Sequence, residues 1–257
     1  MIPLKDNQPT SSFPIVTIVL IVVNVLVYIL QQVSNITDVY TLVPAELLRG
    51  ADVRLIPVKQ VVDVFGQVHT QYQRVPAVHP AWITIFTSMF MHGGLMHIGG
   101  NMLYLWIFGN NIEDALGKVK FILFYFACGI AAAFLQIAVN PFSHTPMLGA
   151  SGAIAGVLGA YLILYPGARV LSIVPIIVIG TIMEVPAWIV LGLWFVIQVA
   201  QGIFGWGEQS GVAVFAHIGG FIAGVALIKA MGGQRLVSRQ QSRVQYYPPG
   251  NGPYSMR

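Results

Sequence analysis

Four side chains in this chain have the types and spacing to do chemistry. Ser151 lies in Met147-Leu148-Gly149-Ala150-Ser151-Gly152-Ala153, His217 in Ala216-His217-Ile218-Gly219-Gly220, and His97 and Asn101 stand four apart in Met96-His97-Ile98-Gly99-Gly100-Asn101. A serine hydroxyl becomes a nucleophile when a histidine takes its proton. Two donors on one helix face, His97 and Asn101, together with the backbone N–H groups of Gly149, Ala150 or Ser151 at a helix start, could surround an oxyanion. These are the parts of acyl transfer.

Each residue also has a plainer reading. Serine is a good helix N-cap, a histidine or asparagine inside a membrane helix bonds its neighbours, and His92 with His97 could contribute to a metal site. What separates the readings is where the elements place the four residues.

The elements are membrane spans. Of 257 residues, 56% are hydrophobic and 9% charged, with a mean hydropathy of +0.75, which excludes an ordinary soluble domain. One cysteine, Cys128, excludes an intrachain disulfide and a cysteine-rich metal site. Apolar runs at Phe13–Leu30, Ile98–Ile112, Phe121–Val139, Gly149–Tyr165, Ala187–Phe204 and Gly211–Ala230 give six expected spans. The run Val170–Met183, broken by Pro175 and Gly180 and rich in Ile and Val, is expected not to span. With the N-terminus inside, nine Lys and Arg fall on the inner side and four in one long outer loop, which places both termini in the cytoplasm.

This organisation reads as a leader (1–12), a membrane domain (13–231) with an outer loop (31–97) and a non-spanning interfacial segment (170–183), and a disordered basic tail (232–257). Within the outer loop, Pro44–Leu48 reads as a short helix and Phe65-Gly66 as a hairpin turn between valine-rich strands, while Trp82–Met91 is apolar but short. The fold class is an all-α polytopic membrane protein. Spans two, four and six then run inward from the outer face, so Ser151, His217, His97 and Asn101 share one depth. If 170–183 crossed, His217 would lie on the opposite side from Ser151.

Small residues make close approach feasible. Gly152 and Gly156 flank the Ser151 face of the fourth span, and Gly220 and Gly224 share a face with His217 at i+3 and i+7. None of the nine acids lies in spans two, four or six, so a dyad rather than a triad is expected, with packing orienting the imidazole. Glu208 could reach His217 only if its loop folds inward. Glu113 and Asp114 sit at the inner end of span two.

From about Trp82 to Lys229 the chain resembles the rhomboid family. The motifs that carry the resemblance are Met91-His92-Gly93-Gly94-Leu95-Met96-His97-Ile98-Gly99-Gly100-Asn101, Gly149-Ala150-Ser151-Gly152 and Ala216-His217-Ile218-Gly219-Gly220. The resemblance implies a six-helix bundle whose shortened fourth helix lifts the serine to the floor of a water-filled cavity. It also implies an intramembrane serine endopeptidase that cleaves single-pass membrane proteins, with Ser151 as nucleophile, His217 as base, and His97 and Asn101 at the oxyanion. The implied partners are transmembrane substrates and the lipid bilayer, with no nucleic acid and no cofactor or metal; the expected location is a bacterial-type plasma membrane.

Glu113 in Gly109-Asn110-Asn111-Ile112-Glu113 resembles the family's acidic residue after the second span, which implies a structural rather than a catalytic role. Two positions depart from the family pattern. Trp82 is followed by Ile83 where members often carry Trp-Arg, and Ala155 stands where some members place a tyrosine that stacks on the histidine. Rival readings are an inactive relative that binds membrane helices, or a small transporter or channel using Gln136, Gln198, Gln201 and the histidines as a polar path. A metalloprotease is disfavoured, because no H-E-x-x-H occurs.

Overall fold

The computed structural model describes residues 1–50, 53–62, 68–76, 78, 80–176, 179–204 and 213–238. In chain order they form β1 (Ile2–Asp6), α1 (Ile15–Val33), α2 (Ile36–Tyr40), α3 (Pro44–Arg49), β2 (Val53–Val62), β3 (Val68–Pro76), α4 (Ile83–Thr87) and α5 (Leu95–Tyr104). A π-helical turn, Leu105–Gly109, carries α5 into α6 (Asn110–Leu116). Next come α7 (Lys118–Val139), α8 (Ser151–Leu164), β4 (Arg169–Ile176), β5 (Ile179–Pro186), α9 (Ala187–Ile203) and α10 (Val214–Ala230).

Apolar composition explains the long helices. Among the described residues, α1 and α7 are each long and apolar enough to cross a bilayer, with mean hydropathies of 2.3 and 2.2, while α8, α9 and α10 are apolar but shorter. Leu26, Ile29 and Val33 on α1 and Leu123 and Phe134 on α7 are exposed, as expected where lipid is the solvent. The inner faces meet in one core containing Phe108, Phe121, Phe124, Tyr125, Leu158 and Leu191.

At the centre, α10 packs on α8 and α7. A Cβ on Gly220 would collide with the Gly152 carbonyl, and one on Gly224 with the Gly156 carbonyl, so the glycine faces bring these two backbones into direct contact. On the far side of α8, a Cβ on Gly152 would lie 2.6 Å from the Ala132 Cβ of α7.

The protein is mostly helical rather than all-α. Residues 170–176 fall in β4 and 179–183 in β5, an antiparallel pair that runs from Arg169 opposite Pro186 to Ile176 opposite Ile179. The hairpin returns the chain to the end it left, and its β-branched Ile and Val favour strand over helix. The leader joins the same sheet, with β1 pairing antiparallel to β4 in the order β1-β4-β5.

In the outer loop, α3 occupies the expected short helix, and β2 pairs antiparallel with β3 from Val53 opposite Pro76 to Val62 opposite Val68. The turn expected at Phe65-Gly66 lies outside the described residues, as does Glu208. The tail is not disordered from its start. Residues 234–238 are helical, Leu236 is buried in the core, and the Gln234 Nε2 donates to the carbonyl of Ile163. Residues 239–257 lie outside the described set.

Candidate active site

The site is built where three helices begin. The starts of α5, α8 and α10 open on one cavity of about 950 Å³, lined by His97, Asn101, Ser151, His217, Trp194 and Tyr104 among others. These three helices therefore start on the same side of the bundle. With 14 residues, α8 is only about 21 Å long at 1.5 Å per residue, short of the roughly 30 Å of a bilayer core.

Ser151 is the first residue of α8, and it does not act as a cap. Ala150 occupies the N-cap position with no side-chain cap bond. The Ser151 Oγ lies instead 2.8 Å from the His217 Nε2, the distance at which an imidazole can take a hydroxyl proton. The other ring nitrogen, Nδ1, lies 2.7 Å from the Gln198 Oε1 of α9. Trp194, one turn before Gln198, sets its ring against the His217 ring, with centroids 5.8 Å apart and planes at 40°.

Two donors of α5 line the same cavity as the hydroxyl. Asn101 is only 9% exposed, and its Nδ2 has no hydrogen-bond partner among the described residues. A buried amide N–H2 without an acceptor is costly, and here it borders the cavity where an oxyanion would form. His97 accepts a bond from the Gly93 N–H at Nδ1, 3.2 Å, so its proton sits on Nε2, which points at Gly149. A Cβ on Gly149 would fall 2.9 Å from that nitrogen, and the backbone there has φ +126°. Only glycine fits both conditions.

The expected backbone donors need one correction. The Gly149 N–H is already bound to the Ser88 carbonyl at 2.9 Å, because the turn before α8 docks on the segment that follows α4. That leaves the N–H groups of Ala150 and Ser151, which have no intrahelical acceptor at a helix start.

Sequence reasoning missed two participants. Gln198 and Trp194 were visible as a glutamine and an aromatic four apart in an apolar run, but only the packing of α9 on α10 shows that both meet His217. Trp194 also brings an aromatic ring, tilted rather than stacked, to His217, where Ala155 offers none. His92 is 2% exposed and sits edge-on to His97 with ring centroids 5.1 Å apart. Burial pushes its pKa down to about 4. Among the described residues no group of three metal-binding side chains gathers.

Comparison with known proteins matches residues 79–234 to the Rhomboid domain. The Rhomboid protease GluP of Bacillus subtilis (strain 168) is 32% identical over 164 residues, covering 61% of this chain and 29% of its own length. Rhomboid protein 1, mitochondrial, of Saccharomyces cerevisiae is 34% identical over 150 residues, covering 56% of this chain and 40% of its own length. The presenilin-associated rhomboid-like protein, mitochondrial, of Rattus norvegicus is 30% identical over 168 residues, covering 59% and 42%. The chain spans less than half the length of these relatives.

Proposed function

Because the chain belongs to the rhomboid family of helical membrane proteins, we propose that it is an intramembrane serine endopeptidase acting through Ser151 and His217. The observation that carries this reading is the 2.8 Å contact between the Ser151 Oγ and the His217 Nε2 at the wall of a cavity large enough for an unwound peptide segment.

A substrate transmembrane segment enters from the side and unwinds locally, since a carbonyl locked in a helix is shielded from attack. Ser151 attacks that carbonyl while His217 takes the hydroxyl proton and passes it to the leaving amine. The oxyanion is held by the His97 Nε2–H, the Asn101 amide and the N–H groups of Ala150 and Ser151. Water from the cavity releases the acyl-enzyme. Substrates are single-pass membrane proteins, and the lipid bilayer is the second partner.

The same reading assigns six spans to α1, the continuous rod from α5 to α6, α7, α8, α9 and α10, with both termini in the cytoplasm. The β4–β5 hairpin is the interfacial segment, and 31–97 is the outer loop. The relatives include a Bacillus subtilis protein and proteins named as mitochondrial; the proposed location is a bacterial-type plasma membrane, with which the mitochondrial names do not agree. The transporter reading loses two of its glutamines to helix bridges, because Gln136 accepts from the Ala216 N–H at 3.1 Å and Gln198 meets His217.

The test is cleavage of a model transmembrane substrate in proteoliposomes. Wild type cuts it, and Ser151→Ala folds but does not. A Ser151→Ala variant that cuts as fast as wild type removes the proposal.

A further inference from the structure

On the reading that Ser151 is nucleophile and His217 its base, we infer that Gln198 is a positioning residue that fixes the His217 proton on Nδ1 and so keeps Nε2 free to accept from Ser151. The Gln198 Oε1 lies 2.7 Å from Nδ1, and Gln198 is 8% exposed, so water does not compete freely for that bond. An amide oxygen only accepts, which requires a proton on the nitrogen facing it. A neutral imidazole has one such proton. Once it is on Nδ1, Nε2 presents its lone pair to the Ser151 hydroxyl 2.8 Å away.

The alternative tautomer is the one an unconstrained imidazole favours, with the proton on Nε2. That form would donate to the Ser151 Oγ and could not act as its base. Gln198 therefore opposes the intrinsic preference of the ring.

The second histidine of the cavity is held the other way round. The Nδ1 of His97 receives the Gly93 N–H at 3.2 Å, and a donor at Nδ1 forces the proton to Nε2. One imidazole is thus set as an acceptor toward the reacting oxygen and the other as a donor, each by the group bonded to its far nitrogen. In proteases with a triad the orienting partner is a carboxylate. Here α8 and α9 carry no Asp, Glu, Lys or Arg. A neutral amide orients the ring without the cost of a charge inside the membrane.

The inference is tested on the full chain in detergent micelles, with 15N spectroscopy of the imidazole nitrogens and steady-state kinetics on a transmembrane substrate. The His217 signal is identified by its loss in His217→Ala. Wild type should carry its neutral-state proton on Nδ1. Gln198→Met keeps the length and apolar body but removes the acceptor. Its proton should move toward Nε2, and kcat should fall about 100-fold with KM within about twofold, the lower end of what a positioned base contributes. Gln198→Glu, which restores an acceptor oxygen, should recover kcat to within about tenfold of wild type at its own pH optimum.

A wild-type proton on Nε2 overturns the inference even if the variants fold poorly. So does a Gln198→Met protein that keeps its tautomer, whatever its kcat, since Gln198 would then only bridge α9 and α10. Failure of the underlying dyad shows differently, as undiminished cleavage by Ser151→Ala.

Discussion

The two ends of the rod formed by α5 and α6 hold polar side chains in opposite conditions. At the α6 end, Glu113 accepts the Val16 and Thr17 N–H groups at 3.0 and 2.8 Å and the Thr17 hydroxyl at 2.8 Å. Asp114 beside it takes the Ser11 N–H and the hydroxyls of Ser11 and Ser12. These carboxylates satisfy the orphan donors at the start of α1 and tie the leader to the bundle. At the α5 end, the Asn101 Nδ2 is buried with no partner, and His97, Ser151 and His217 surround a cavity. Carboxylates bonded across elements, as Glu113 and Asp114 are, hold structure together, although the Asn111 Oδ1 in α6 has no hydrogen-bond partner among the described residues. A cluster with a donor left over beside a cavity is prepared for a group that arrives later.

This contrast predicts that damage separates by end. The largest effect belongs to Asn101→Ala, which should lower kcat by about 10²–10³, the usual loss for one oxyanion donor. Its melting temperature should stay level or rise, because a buried unsatisfied N–H2 is removed. A loss of stability with kcat intact would place Asn101 among the structural residues. Second is Glu113→Ala, which strands three donors at the start of α1 and should cost about 3 kcal/mol in a denaturation experiment. The fraction that remains folded should cleave at nearly the wild-type rate. If Glu113→Ala instead abolished cleavage in folded protein, the division between the two ends would be wrong.

The smallest effect sharpens the structural end. Asp6 accepts from the Tyr161 hydroxyl at 2.5 Å and the Asn111 Nδ2 at 2.8 Å, and burial raises its carboxyl above the usual value. A raised carboxyl favours the protonated folded form, so its stabilising contribution is complete below the ordinary carboxylate range and is lost as pH rises through the raised value. Asp6→Asn cannot ionise and should remove that slope. Melting temperatures of the two proteins compared between acidic and mildly basic pH should diverge in favour of the variant as pH rises, by about 2 °C or less. Parallel pH profiles would mean that folding does not raise the Asp6 carboxyl.

How much of this could be read from sequence depends on the range of the contact involved. Ser151, His217, His97 and Asn101 were legible because helical spacing and span parity place them at one depth without any detailed contact. Glu113 was legible as structural through its likeness to the family's acidic residue after the second span. Gln198 was not, since an isolated glutamine in an apolar run reads equally as a bridge, a polar path or a partner of a ring, and 19 residues separate it from His217. The bond from Gly149 to Ser88 was hidden for the same reason, and it is why Gly149 looked like a free donor. The pairing of β1 with β4 joins residues about 170 positions apart, and nothing local in Ile2–Asp6 points to its partner.

The central claim is that His217 makes Ser151 a nucleophile. Its most direct measurement is labelling by a serine-directed fluorophosphonate, with the modified residue located by mass spectrometry, in folded wild type and in His217→Ala. Wild type should be labelled at Ser151, and His217→Ala should be labelled at background rate. Wild type that stays unlabelled while folded, or a His217→Ala protein labelled as fast as wild type, would contradict the account.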